Sequence, residues 1–335
     1  MNEKHILVGN GININFGGKD YTNSMIIERL ENNLKQNDGR YDDVFAGIVS
    51  SRELLEVINM LNKEFNKILK DGVLSLRRTS NEEEMKALVD ISRRYKMKTH
   101  SAVEIGMEDY FLVLKLFDNA YSDSEEITKS VSQGLKYLFL DSIYNGGEIE
   151  KLYLKMQSFS HELDQFKSVF TVNYDTNLDK LSTKKVYHLH GSFNELDDTY
   201  QKSTIIGKLA NGKNPAPHVI QGKEYLYCNA IMGYSGRNKY DNMLKYNEIN
   251  NSLVDKSLWV HEYPIEEFQN IHGELHIIGM SPNNDSHIFS MINKNPNISE
   301  VHFYCMDNQS FEEAKKIISK SIIKRNVKKY WESIK

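Results

Sequence analysis

Apolar positions recur along this chain with two different periods, and the changes from one to the other lay out its elements. The run His5-Ile6-Leu7-Val8 is short and continuous, and it stops at Gly9-Asn10-Gly11. Such a run ended by glycines predicts a buried strand starting at about residue 4. A helix follows over about 22–35, with Met25, Ile26, Ile27 and Leu30 on its apolar side. From about 51 to 166 the period is helical almost throughout and proline is absent. Leu54, Leu55, Ile58, Leu61 and Phe65 recur at helical spacing, as do Met85, Leu88, Val89 and Ile91, and later Leu135, Leu138 and Leu140. Strand patterns return at 168–172, 185–189, 224–232, 274–280 and 301–306. Helical patterns at about 240–249, 262–270 and 286–293 separate the later ones, and 311–331 reads as a last helix with a basic end. The Gly/Asn/Pro-rich stretch 207–222 reads as a loop.

Strands alternating with helices imply an α/β, Rossmann-like, largely parallel sheet covered by helices on both faces. The helical block reads as an insertion over 46–166, which leaves 1–45 and 167–335 as a discontinuous Rossmann domain. In open parallel sheets, ligands bind beyond the carboxyl ends of the strands. Attention therefore falls on the polar residues that follow each apolar run.

Composition narrows the classes without choosing among them. Apolar and charged fractions of 40% and 26% are ordinary for a globular chain. A net charge of −4 gives no bulk attraction to nucleic acid, so no direct nucleic-acid binding is expected. Cys228 and Cys305 are the only cysteines, too few for a disulfide framework or a four-cysteine zinc module. No apolar run approaches a membrane span, and the first residues lack the apolar segment of a signal peptide. A cytoplasmic location and no membrane partner are the expectations.

Three motifs sit where the strands end. At the first, Gly9-Asn10-Gly11 allows a tight turn into a helix, with bare amides able to face a pyrophosphate. Isoleucine at position 14 breaks the usual third glycine. The second is Thr171-Val172-Asn173-Tyr174-Asp175, where Asn173 and Asp175 two residues apart share a face. These could serve a carboxamide or ribose, or could equally turn the chain and cap a short helix near Asn177. It is followed by His188-Leu189-His190-Gly191-Ser192, where alternation along the strand places both histidines on one face. They supply a general base or a plain structural pair, and with no adjacent carboxylate or cysteine cluster no metal is expected. The third, Gly279-Met280-Ser281, precedes a helix for which Asn284 or Asp285 is the natural cap.

Together these motifs resemble the sirtuin (SIR2) NAD-binding family. Gly9, Gly11 and Gly17 fall on the family's glycines, Asn13 on its serine, and Asp20-Tyr21 on its Asp-Phe pair. Thr171-Val172-Asn173-Tyr174-Asp175 is similar to its Thr-Gln-Asn-Ile-Asp, His190-Gly191 to its His-Gly, and Gly279-Met280-Ser281 to its Gly-Thr-Ser. The Gly-Asn-Gly opening, Leu189-His190-Gly191 and the late Gly-x-Ser-x-x-x-Asp of Gly279, Ser281 and Asp285 also resemble the sirtuin-like and abortive-infection (AbiH-like) proteins of bacterial anti-phage defence. Thr22 stands where sirtuins carry an arginine, and the four-cysteine zinc module is missing. What the resemblance implies is an NAD+ glycohydrolase, with NAD+ as substrate and no metal, acting as a NAD-depleting effector. Asn173 and His190 would meet the ribose and water, and Asp175 the carboxamide. Gly9, Asn10, Gly11, Asn13, Asp20, Tyr21, Thr171, Gly191, Gly279 and Ser281 would line the nucleotide. Such an activity needs restraint, through homo-oligomer formation or a separate sensor or activator protein. The rival readings are a non-catalytic NAD or ADP-ribose sensor, a transferase acting on protein, and a scaffold subunit of a defence complex.

Overall fold

The structure, a computed structural model, describes residues 3–36, 39–45, 49–71, 98–121, 125–196, 219–232, 236–252, 262–282 and 284–334, with seven single positions between 85 and 95. Most of the loop expected at 207–222 lies outside the described residues. Six strands form one all-parallel sheet in the order β3-β2-β1-β4-β5-β6. They are β1 (Lys4–Val8), β2 (Ser168–Thr171), β3 (Val186–His188), β4 (Gly273–Ile278), β5 (Ile298–Cys305) and β6 (Ser321–Asn326). The order reverses at β1, which pairs with β2 on one side and β4 on the other. Here the loops from adjacent strands leave a parallel sheet in opposite directions.

Alternation along β1 divides the apolar residues between two cores. Ile6 and Val8 face one core and Leu7 the other, all fully buried. The helices between β1 and β2 cover the first face: α1 (Gly11–Gly17), α2 (Asn23–Gln36), α3 (Ser51–Asp71), α4 (Met107–Tyr121), α5 (Glu125–Tyr144) and the short α6 (Phe159–Leu163). In α3, Leu54, Ile58, Leu61, Phe65 and Ile68 form the buried stripe, each contributing about 1.5–3 kcal/mol against exposure. After the one-turn α7 (Asn177–Leu181), the opposite face is packed by α8 (Gly236–Ser252), α9 (Ile265–Gln269), α10 (Ser286–Lys294) and α11 (Asn308–Ile317).

Two expected elements differ. The strand pattern at 224–232 is a 3₁₀ turn over Glu224–Tyr227, followed by an isolated antiparallel bridge from Cys228 to Leu196. Tyr225 is drawn toward α5, where its hydroxyl donates to Asp141 (2.7 Å) and its ring stacks on Tyr144. That pull curls the backbone away from an extended ladder. The last helix, expected over 311–331, is α11, then β6, then α12 (Val327–Ser333). Ile317, Ile318, Ile322 and Ile323 mimic a helical face, but Ile322 and Ile323 pair with Val301 and His302 of β5. Lys324 and Arg325 leave this edge charged, and the Asn326 side chain caps α12 by accepting from the Lys329 amide (2.9 Å). No helix among the described residues is long and apolar enough to cross a membrane.

Candidate functional site

The three polar motifs leave the same edge of the sheet, because Val8 is level with Thr171 and Ile278, and Thr171 with His188. The first and third motifs meet directly. The Gly9 amide donates to the Ile278 carbonyl and the Gly11 amide to the Gly279 carbonyl, each at 2.8 Å. A Cβ on Gly11 would lie 2.5 Å from Gly279 Cα, and one on Gly279 2.8 Å from the Gly9 carbonyl oxygen. Gly279 also holds φ at +74°, where side chains are rarely tolerated. These glycines let two loops touch backbone to backbone, so the Gly9 and Gly11 amides expected to face a pyrophosphate are spent on the neighbouring loop. Gly17 makes room for the ring of buried Tyr21, whose carbonyl accepts from Asn10 Nδ2 (2.8 Å). Asp20 is exposed, and its carbonyl accepts from Arg29. Ser281 is exposed on the loop between β4 and α10.

The first and second motifs meet through buried side chains. Asn13 Nδ2 donates to Asp175 Oδ2 (2.7 Å), while Asp175 Oδ1 accepts from the Asn177 amide (3.2 Å) and side chain (2.6 Å). Burial raises the Asp175 pKa, opposed by these hydrogen bonds. Both carboxylate oxygens are engaged in positioning α1 and α7, which leaves Oδ2 at most one further bond to accept. Asn13 Oδ1, by contrast, is buried and has no partner among the described residues.

Asn173 lies just past the end of β2. Its amide donates to Thr171 Oγ1 (3.0 Å), Thr171 Oγ1 donates to the Val8 carbonyl (3.0 Å), and its own carbonyl faces His188 Nδ1 (3.1 Å). These bonds fix its backbone, and its carboxamide makes no hydrogen bond to a described residue; the residue as a whole is 7% exposed.

β3 ends at His188, so the alternation expected to place both histidines on one face stops too early. His188 Nε2 turns to Asp179 of α7 (2.9 Å). Burial alone would lower its pKa, but Asp179 outweighs burial and the net shift is upward. His190 turns the other way, to His287 at the start of α10, with the two Nε2 atoms 2.8 Å apart and the rings stacked. Gly191, at φ +86°, allows this turn and lies against Asn229, whose Oδ1 accepts from the Ser192 amide (2.8 Å).

Burial, then the nearby Lys239 charge, holds both His190 and His287 well below the usual imidazole range. Both rings are therefore neutral at pH 7. Lys239 of α8 is itself buried and paired with Glu108 of α4, which brings the helical block to the edge of the site. Asp285 caps α10 in a left-handed conformation, yet its carboxylate makes no cap hydrogen bond. Asp285 Oδ1 lies 3.8 Å from His190 Nε2, and burial raises its pKa, with Glu108 adding and Lys239 opposing. Tyr174 also senses Lys239, Glu108 and Asp285.

His287, Lys239, Glu108 and Asn229 carried no signal in the sequence. Each stands alone within a helical or apolar pattern and gains its place only from tertiary packing. A broad cleft of about 580 Å³ at the start of α2, lined by Thr22, Asn23, Arg94, Lys98 and His100 among others, includes no residue of the three motifs. No family model, curated protein or solved structure matches this chain.

Proposed function

We propose that this chain is an NAD+ glycohydrolase, cleaving the bond between nicotinamide and ribose to release nicotinamide and ADP-ribose. The observation that carries the reading is Asn173. Its carboxamide, on a residue only 7% exposed and with no hydrogen bond to a described residue, stands at the carboxyl edge of a 3-2-1-4-5-6 parallel sheet, one strand from the His190 loop. Dinucleotides bind at that edge in sheets of this order. The likeness of the three motifs to those of sirtuin-type NAD enzymes supports the same choice.

Loss of nicotinamide builds cationic character at the anomeric carbon, and the leaving group departs as a neutral pyridine needing no proton. The protein's tasks are then to orient the ribose, exclude bulk water and place one water. Asn173 suits the positioning of that water or the ribose hydroxyls. His190 suits the acceptance of a proton, since burial keeps it neutral. The tautomer that leaves His190 Nδ1 basic puts a hydrogen on Nε2, donated to His287 Nε2. Asp175 acts as a positioning residue, through Asn13 and Asn177. In the cell this activity would deplete NAD as an anti-phage, abortive-infection effector, restrained by self-association or a sensor protein.

Purified protein incubated with NAD+ should release nicotinamide and ADP-ribose, read by chromatography. We expect Asn173→Ala and His190→Ala each to lower turnover on the order of 100-fold or more. Turnover unchanged in both variants would sink the assignment. Induced expression should lower cellular NAD, and Asn173→Ala should not. One observation favours a second reading, a sensor that holds the nucleotide without cleaving it: His190 Nε2 is already engaged by His287. NAD+ binding seen by calorimetry with no nicotinamide released under any condition would select that reading.

A further inference from the structure

His190, Asp285 and His287 come from two loops that follow different strands, yet their ligand atoms lie within 4.8 Å of one another. The two Nε2 atoms point at each other across 2.8 Å, and Asp285 Oδ1 is 3.8 Å from His190 Nε2. Two neutral imidazoles so placed can share only one hydrogen. His287 is 4% exposed, and its Nδ1 has no partner among the described residues, so this pair is poorly satisfied by protein groups. The Asp285 carboxylate, at a helix cap but not used for capping, remains available on the same side.

We propose that His190, Asp285 and His287 bind one divalent transition-metal ion of the zinc or cobalt class, held across the loops that follow β3 and β4. Two imidazole nitrogens and one carboxylate oxygen form a borderline donor set that such ions favour, with the remaining positions left to water. A tetrahedral zinc about 2.0–2.1 Å from each nitrogen sets the two nitrogens roughly 3.4 Å apart. The observed spacing reaches that when each ring shifts by a few tenths of an ångström and tilts, so that both nitrogen lone pairs converge on one point. Glu108, paired with Lys239, offsets part of the positive charge that Lys239 presents to the ion.

A second group of similar composition, Glu274, His276 and His302, is unsuited to the task. His302 Nδ1 accepts from Arg325 Nε (3.2 Å) and its Nε2 faces Glu300 (2.7 Å), so neither nitrogen is open and a guanidinium stands beside it.

The metal site goes beyond the NAD reading and competes with it for one residue. An ion on His190 Nε2 leaves the ring hydrogen on Nδ1, where it can no longer accept a proton. The metal-loaded chain is then the resting form.

The test uses the full chain, stripped with EDTA, dialysed and titrated with Co²⁺ in the absence of nucleotide. Visible d–d absorption and metal analysis report binding. We expect one ion per chain with nitrogen-ligand bands. His287→Gln and Asp285→Asn should weaken binding by more than the roughly 10–100-fold that loss of a supporting residue costs. His276→Gln should leave it intact. Circular dichroism checks each fold, and if His287→Gln misfolds, Asp285→Asn decides by the same criterion. No uptake by the wild type in excess metal, or uptake that survives in the folded variants, overturns the site. Turnover of NAD+ by the stripped protein is a separate measurement, so either proposal can fail alone.

Discussion

Gly279 is the residue on which the edge of the sheet depends most directly. Its carbonyl receives the Gly11 amide, and its α-carbon occupies the space any side chain on Gly11 would need. Gly279→Ala must hold a Cβ at φ +74° and within 2.9 Å of the Ile12 nitrogen. We expect a loss of about 2–4 kcal/mol, read from urea midpoints at constant m-value. Asn13 and Asp175 are coupled through this same edge, so nucleotide affinity should fall along with stability. The sequence showed the glycines and where they stood. Their purpose was hidden, because a turn that receives phosphate and a turn that receives another loop need the same residue.

His276 gives a residue-scale test of pH dependence. Burial, reinforced by His302, Lys4 and Arg325, lowers its pKa from 6.5 to about 3. The unfolded chain takes up this proton between those values and the folded chain does not, so stability is full above about pH 6.5 and falls as pH drops toward 3. The penalty is on the order of 1–2 kcal/mol at pH 5. Thermal melts at pH 5 and pH 7.5 should differ less for His276→Gln than for the wild type. An equal difference would place the acid sensitivity elsewhere.

At the scale of elements, the contact between α4 and α8 is the most exposed to test. The Lys239 side chain is 1% exposed and Glu108 37%. Glu108→Gln leaves a buried ammonium without its counter-charge. Because Glu108 is partly solvated, we expect about 2 kcal/mol of destabilisation, below the 3–5 of a fully buried pair. Glu108→Gln combined with Lys239→Met should recover much of that loss, and a double-mutant cycle in urea measures the coupling. Elements were legible where one period dominated. The stripe of α3 needed no tertiary information, since Leu54, Ile58, Leu61 and Phe65 declare it. β6 was not legible, because an edge strand half open to water carries only a short apolar signal. The stretch 224–232 misled for the opposite reason: its Tyr225 answers to Asp141 and Tyr144, and its Tyr227 to Tyr137, all on α5 and far away in sequence.

At the scale of the molecule, the sheet class followed from alternation of strands and helices. The convergence of the three motifs on one edge followed from the strands being parallel. Asn13 meeting Asp175 and Gly11 meeting Gly279 join residues whose patterns say nothing of each other. The part of the site made by His287, Lys239 and Glu108 was out of reach, because no periodicity encodes which helix end will face which loop, and Asp285 was legible only as a helix cap.

The central strand also sets a timetable. β1 is made first, but Val8 meets Thr171 163 positions later, and Lys4 waits for Glu274 near the end of the chain. At roughly 5–20 residues per second, a ribosome needs on the order of 15–50 s to deliver the second neighbour. Until β2 arrives β1 offers two open edges, and until β4 arrives one, and closing such long loops is entropically slow. The helices that follow directly can cover the Ile6 and Val8 face early, but the Leu7 face must wait for α8 to α11. A nascent chain stalled before β4 therefore carries a central strand open on one edge, and the Gly9–Gly11 turn has no Gly279 loop to hold it beside Asn173 and His190.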